Sequence, residues 1–277
     1  MIVIYKNVKY SRELPANTWR KIAINTWKPD FGGKILSRLE LNPEPALKFL
    51  NEINNNSKEK VSLTHLLGSV LGKLQEEFPL LRSTVRGKRV FEREDCDVFF
   101  HVSRVNSKGE EDLSGKAIRN INQLSIEEVA LKLNKEGREI KTKEDSTFKT
   151  IKKLVSYVPN FLISFVLDIS SFIHINLNLW SPLLGTKRDT FGSMMLTNVG
   201  VFGVKESFVP FVRYSGIHAI CCMGAVHDDV VLRDGEIRVG KKLILNWSLD
   251  HRLIDGSTAG KMAKRLVELF ENPHQLR

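Results

Sequence analysis

The sequence predicts an α/β protein, because strand-like and helix-like segments alternate along the chain. Strand-like patterns lie at residues 35–41, 88–92, 98–104 and 243–249. Helix-like patterns lie at residues 43–54, 62–78 and 257–270, and a further helix opens over 125–133. No Gly-, Ser- or Pro-rich linker divides the 277 residues, so we expect a single domain over residues 1–277.

Periodicity supports these elements one by one. A short helix is expected at residues 19–27. Pro29 and the glycine pair at 32–33 would end it. Residues 35–41 alternate apolar and polar side chains, as a half-buried strand does. The helix over residues 62–78 has one apolar face, formed by Leu63, Leu66, Leu67, Val70, Leu71 and Leu74.

The three cysteines do not form a disulfide framework. Cys221 and Cys222 are adjacent in an apolar run, which indicates buried strand residues, and no Cys/His set has the spacing of a metal site. The first residues lack the apolar core of a signal peptide. We therefore expect a cytoplasmic protein without a bound metal.

The most informative segment is DHRLIDG at residues 250–256. It places His251 at the end of a strand, and imidazole is the side chain best able to exchange a proton near neutral pH. Asp255 lies four residues further on and could fix the loop, and Gly256 is expected to permit a turn that a Cβ would resist. From spacing alone, His251 is either a general base or a capping or buried structural histidine.

Three blocks together carry a family resemblance over roughly residues 190–273. Residues 250–256 resemble the Asp-His-Arg-x-x-Asp-Gly signature of the acyltransferase components of 2-oxoacid dehydrogenase complexes. Residues 191–203, FGSMMLTNVGVFG, are similar to the family's Gly-x-x-x-x-[Ser/Thr]-Asn-Leu-Gly-x-x-Gly segment. Residues 219–226, AICCMGAV, stand where the family has an apolar strand ending in Gly-Ala or Gly-Val. Related chloramphenicol acetyltransferases carry a His-x-x-x-Asp-Gly version.

The resemblance implies a fold and an activity. The fold is the chloramphenicol acetyltransferase-like two-layer sandwich, with a mixed sheet and helices on one face. Three subunits pack around a three-fold axis, and each active site lies between two of them. The activity is acyl transfer between coenzyme A and a thiol such as dihydrolipoamide.

Roles for individual residues follow from the same resemblance. His251 is the base that deprotonates the attacking thiol, and Thr197, supplied by a neighbouring subunit and flanked by Asn198, donates to the oxyanion. Asp255 either acts at the site or pairs with an N-terminal arginine that holds the loop. Arg20 matches the family's Arg-Lys-x-x-Ala pattern, so we expect an Arg20–Asp255 pair.

Two departures from the family pattern bear on the acceptor. No lipoyl attachment site is found in this sequence, which predicts a separate lipoyl-carrying protein. The family's Asn-Pro-Pro-Gln segment is replaced by residues 211–218, FVRYSGIH. The alternatives are transfer to a hydroxyl, amine or lipid, and a catalytically silent trimeric scaffold.

The net charge of +10 has two interpretations: binding of anionic partners such as coenzyme A phosphates, or a solvated charged surface with no partner. No nucleic-acid motif is present in the sequence. An apolar insert at about residues 154–185 has the composition of a helix pair. Asp168 makes it an unfavourable membrane span. It is ordinary core, a wall for an apolar acyl group, or an anchor that would hold the protein at the membrane periphery.

Overall fold

The computed structural model describes residues 5–15, 33–57, 59–105, 111–142, 165, 168–181, 188–211, 215–233 and 235–276. The predicted helix at 19–27, with Arg20, lies outside these residues, as does most of the insert at 154–185.

Twelve strands are present in the described part of the chain. Their bounds are β1 Tyr5–Lys6, β2 Tyr10–Leu14, β3 Lys34–Leu41, β4 Ser83–Arg86, β5 Arg89–Arg93, β6 Val98–Val105, β7 Glu111–Ile118, β8 Leu179–Trp180, β9 Met194–Asn198, β10 Ala219–Met223, β11 His227–Arg233 and β12 Glu236–Asp250. The predicted strands at 35–41, 88–92, 98–104 and 243–249 are confirmed.

Four α-helices lie with both ends inside the described residues: α1 Glu44–Asn54, α2 Leu63–Glu77, α3 Ile126–Thr142 and α4 Gly256–Glu271. The expected helices at 43–54, 62–78, 125–133 and 257–270 are confirmed. In α2, Ser62 and His65 form a reciprocal capping box, which fixes the start of the helix. Phe172–Asn176 forms a π-helical turn.

The main sheet is mixed. Its strands run in the order β3-β12-β10-β9-β6-β7, and β11 pairs with the first half of β12. β9 is parallel to both of its neighbours, and the remaining pairs are antiparallel. Two smaller sheets have the orders β2-β5-β4 and β1-β8. The mixed sheet that the family resemblance implied is confirmed.

The helices pack on one face of this sheet. Alternate residues of β12, Leu243, Leu245, Trp247 and Leu249, join side chains of all four helices in one core cluster. The opposite face, called the open face below, has a smaller cluster of Phe99, Met195, Ile217 and Ile220. This two-layer arrangement confirms the predicted fold class.

The predicted burial of the two adjacent cysteines is confirmed. Cys221 and Cys222 are buried in β10, as expected from their apolar run. No helix in the described residues has the length and apolarity needed to cross a membrane.

Candidate functional site

The end of β12 supports a tight turn that carries His251. Residues 243–250 are all buried, between β3 and β10. The carbonyl of Asp250 accepts hydrogen bonds from the backbone N–H groups of Leu253 and Ile254, both at 3.0 Å. The N–H of His251 donates to the carbonyl of Gly33 at 2.7 Å, next to β3. The position of His251 is therefore fixed by the sheet on one side and by the turn on the other.

The ring of His251 has a defined orientation. Its Nδ1 lies 2.9 Å from the carbonyl oxygen of Ile254, and the residue is half-buried. A carbonyl can only accept a hydrogen bond, so Nδ1 carries the proton and the lone pair of the neutral ring is on Nε2. This is the tautomer that a general base acting through Nε2 requires.

Asp255 caps the helix that follows the turn. Its carboxylate accepts a hydrogen bond from the N–H of Thr258 at 2.8 Å, at the N-terminus of α4. The negative charge also interacts favourably with the dipole of the helix. The expected pairing with Arg20 lies outside the described residues, and a catalytic contact of Asp255 stays a prediction.

The prediction for Gly256 was wrong. Gly256 is the first residue of α4 and its backbone is not left-handed. Apart from its chain neighbours and its own helix, a Cβ built on it would meet no atom of the described residues within 4 Å. The chain enters the helix through Asp255, whose backbone is extended. The turn therefore does not depend on a glycine.

A buried polar cluster beneath the turn was missed by sequence reasoning. The Asp250 carboxylate accepts hydrogen bonds from the backbone N–H and the guanidinium of Arg252, with Nε at 2.9 Å. Nδ1 of His218 lies 2.8 Å from its Oδ2. All three residues are buried. The available signal was the departure from the family at residues 211–218, which introduces a histidine just before β10.

The charge of this cluster is set by its contacts. Burial raises the pKa of Asp250, but the hydrogen bonds with His218 and Arg252 outweigh it and hold that pKa well below its usual value. The carboxylate is therefore ionised at any pH at which the protein would work, and its charge is balanced by Arg252.

Thr197 lies in β9, one strand beyond β10. Leu196 points into the helix-side core, so alternation puts Thr197, which is half-buried, on the open face. Its neighbour Asn198 donates from Nδ2 to the Thr64 hydroxyl of α2 at 3.0 Å. Asn198 thus connects the end of β9 to the helical layer, which suits a role in holding Thr197 rather than in contacting a substrate.

Two motif glycines allow the ends of β9 and β10 to approach. A Cβ on Gly200 would lie 2.5 Å from the carbonyl oxygen of Gly224, and a Cβ on Gly224 would overlap the backbone of Lys205. The N–H of Val199 donates to the carbonyl of Met223 at 2.9 Å in the same region. Any side chain at either glycine would force these segments apart.

Thr197 and His251 do not meet within one chain. In the strand register, Thr197 is beside Cys222, and Cys222 is beside Asn246, five residues before His251. With a rise of about 3.3 Å per residue and a spacing of about 4.8 Å between strands, the two residues are separated by roughly 19 Å. A site that uses both residues needs two copies of the chain.

The described residues contain no group of three or more His, Cys, Asp and Glu side chains arranged to hold a metal ion. The three cysteines are buried thiols. Burial raises the pKa of Cys222 to about 11 and that of Cys221 well above the usual thiol value. These thiols are therefore protonated at neutral pH.

Comparison with known proteins shows which proteins this fold and turn are similar to. Residues 186–277, which include Thr197, Asn198 and the whole turn, match the family model of the 2-oxoacid dehydrogenases acyltransferase (catalytic domain). The dihydrolipoyllysine-residue acetyltransferase component of the pyruvate dehydrogenase complex from Bacillus subtilis is 35% identical over 81 residues. That alignment covers 29% of this chain and 18% of the relative, so the chain corresponds to a small part of the relative's length.

Solved structures extend the similarity to nearly the whole fold. A probable dihydrolipoamide acetyltransferase from Listeria monocytogenes superposes with a TM-score of 0.63 at 15% identity, covering 95% of both chains. The dihydrolipoamide acetyltransferase of Azotobacter vinelandii has a TM-score of 0.62 at 16% identity, covering 88% of this chain and 83% of its own. The predicted resemblance is confirmed, by sequence over residues 186–277 and by fold over most of the chain.

Proposed function

We propose that this chain is a catalytic domain that transfers an acyl group between coenzyme A and a thiol such as dihydrolipoamide, with residues 1–277 forming one domain. The observation that carries the proposal is the hydrogen bond from Nδ1 of His251 to the Ile254 carbonyl, within the segment that matches the acyltransferase family. This bond leaves Nε2 as the basic nitrogen of a ring that the turn holds in place.

The reaction follows from the two residues. Nε2 of His251 takes the proton of the attacking thiol, and the thiolate attacks the carbonyl carbon of the thioester. The hydroxyl of Thr197 donates to the oxyanion of the tetrahedral intermediate. The carbon–sulfur bond to the first thiol then breaks, and the departing thiolate takes the proton back from His251. The reaction consumes one thiol and releases another, the acyl group is transferred intact, and no redox step is involved.

A comparison of spacing supports these assignments. The Azotobacter vinelandii enzyme was investigated for the roles of a serine, a histidine and an asparagine in its catalytic mechanism, and the last two lie four residues apart. His251 and Asp255 have the same spacing, and Thr197 supplies a hydroxyl like that of the serine. Asp255 is therefore proposed to act beside His251 as well as capping α4.

Three-fold assembly is part of the proposal. The estimated 19 Å between Thr197 and His251 in one chain supports a site in which a neighbouring copy supplies one of them. A ring of three closes such a head-to-tail contact. The acyl group would arrive on a lipoyl group carried by another polypeptide.

The test is an assay of thiol release from a series of acyl-coenzyme A thioesters, with and without dihydrolipoamide. We expect transfer to dihydrolipoamide, and His251→Ala should reduce kcat by roughly 10²- to 10⁴-fold, because a general base contributes that much. Thr197→Val should lose activity while Thr197→Ser keeps it. Transfer only to a hydroxyl, amine or lipid acceptor would replace the proposed acceptor, and no transfer to any acceptor would favour the scaffold.

Mixing two inactive variants tests the shared site. Co-expressed His251→Ala and Thr197→Val chains would form mixed trimers in which some interfaces keep both residues. Activity should return to about a quarter of the wild-type level, because one interface in four is intact on random assembly. Failure of the mixture to regain activity would contradict a site divided between subunits.

A further inference from the structure

His218 occupies a position that links the candidate site to a different part of the fold. It precedes β10 and stands opposite Asp250, whose backbone N–H donates to the carbonyl of His218 at 2.9 Å. Both residues are buried, with 7% and 3% of their surface exposed. No contact between His218 and a substrate is therefore expected in this chain.

Both ring nitrogens of His218 have partners. Nε2 lies 3.1 Å from the hydroxyl of Thr84 and 3.4 Å from the backbone N–H of Val85 in β4. An N–H can only donate, so Nε2 accepts, and the proton of the neutral ring is on Nδ1. Nδ1 then donates to Oδ2 of Asp250 at 2.8 Å. The ring therefore connects the β2-β5-β4 sheet to the end of β12.

Asp250 is in turn hydrogen-bonded to residues of the turn that carries His251. Its carboxylate accepts hydrogen bonds from the backbone N–H and the guanidinium of Arg252, and its backbone carbonyl accepts one from the N–H of Ile254. The carbonyl of Ile254 in turn accepts from Nδ1 of His251. A continuous path of hydrogen bonds and short backbone segments therefore runs from the ring of His218 to the ring of His251.

The groups around the ring of His218 include one charged side chain besides Asp250. Arg252 places Nη2 3.5 Å from Nδ1 of His218, and it already balances the charge of Asp250. The other groups that face the ring are the Thr84 hydroxyl and the Val85 N–H, which carry no net charge. His218 thus adds a directional hydrogen bond to the Asp250 carboxylate.

We propose that His218 is a positioning residue for the acyl transfer: through Asp250 it holds the turn at 250–254 so that His251 keeps its ring orientation. The inference rests on the proposed function for its kinetic consequence, but the ring orientation of His251 can be measured without any turnover. Small displacements of a catalytic base have large effects on rate, so losing this support should lower kcat by roughly 10- to 100-fold.

Two substitutions separate the two ends of the ring. His218→Asn puts an amide N–H near the place of Nδ1 and keeps the donor to Asp250. His218→Gln puts its amide near the place of Nε2 and keeps the contact with Thr84. We expect kcat to fall much further for His218→Gln than for His218→Asn. KM should change little in both variants, because the side chain at position 218 does not contact substrate. Thr84→Val is the matched control and should lose less activity than His218→Gln.

The orientation of the catalytic ring is read independently by ¹⁵N NMR of the His251 imidazole. The Nδ1–H tautomer should persist in the wild type and in His218→Asn and become mixed in His218→Gln. Equal kcat and equal spectra for both variants, or a greater loss in His218→Asn, would overturn the inference. A wild type that transfers no acyl group would refute the proposed function alone, since the NMR result would still decide the role of His218.

Discussion

The two halves of β12 share one strand but have opposite surroundings. Residues 236–242 pair with β11 in a hairpin, and most of their side chains are exposed. Residues 243–250 lie between β3 and β10, and every one is buried. The hairpin has two apolar cross-strand pairs, Val230–Val239 and Leu232–Ile237, on one exposed face.

The difference shows where this strand contributes to stability and where it does not. The buried half supplies side chains to the main core and ends in the Asp250 cluster that supports the turn. The hairpin buries little of its apolar surface within the chain, so substitutions there should have small effects on the free energy of unfolding. Its apolar side chains, unlike those of the buried half, are accessible to another molecule.

The largest contrast is expected between two aspartates. Asp250→Ala should lower the free energy of unfolding by about 3–5 kcal/mol, because it removes the carboxylate that pairs with the buried guanidinium of Arg252. Asp228→Ala in the hairpin removes an exposed ion pair with Lys241 and should change little. Urea denaturation of both variants measures this, and similar values for the two would contradict the distinction.

Acid should affect the two positions differently. The folded-state pKa of Asp250 is depressed, so its contribution is complete above the unfolded pKa of about 3.9 and is lost as the pH falls toward the folded pKa. The difference in stability between wild type and Asp250→Asn should therefore shrink as the pH falls from 5 to 2. Denaturation at several pH values checks this, with Asp228→Asn as the exposed control.

Two isoleucines in the same strand give a matched comparison of packing. Ile244→Ala should cost about 2–5 kcal/mol, because the side chain is only 4% exposed. Ile237→Ala should change stability by less than about 0.5 kcal/mol, because the side chain is 79% exposed. Thermal denaturation at protein concentrations that keep the assembly state constant gives both values. A large loss for Ile237→Ala would mean that the hairpin face is covered in solution.

The smallest effect is expected at the helix cap. Asp255→Ala should lower the free energy of unfolding by about 1 kcal/mol, because the N–H of Thr258 loses its acceptor. Asp255→Ser restores an acceptor without the charge and should recover that stability. A loss of several kcal/mol in Asp255→Ser would instead support a buried pair with Arg20.

Local patterns were enough to predict much of this fold. The apolar face of α2 and the alternation of β3 follow from short-range periodicity, so the sequence locates them directly. The hydrogen bond between His218 and Asp250 joins residues 32 positions apart, and it depends on how β10 pairs with β12. No local pattern encodes that register. Gly256 was misjudged because its backbone conformation is set by the helix cap at Asp255.

The candidate site was predicted only in part for the same reason. The turn at residues 250–256 is contiguous, so its motif identifies His251 and Asp255 together. The distance between His251 and Thr197 depends on strand order, which the sequence does not show. The resemblance predicted a site divided between subunits, and the strand order is consistent with that because one chain keeps the two residues apart.

The burial of the cysteines has a consequence for a protein proposed to handle thiols. Cys222 is beside Thr197 in the strand register, where a reactive sulfur could compete for the acyl group. Its pKa of about 11, raised by burial, keeps it protonated, and Cys96 and Cys221 are buried as well. The three cysteine thiols are thus protected from acylation and from mixed disulfides, which suits the proposed transfer between substrate thiols.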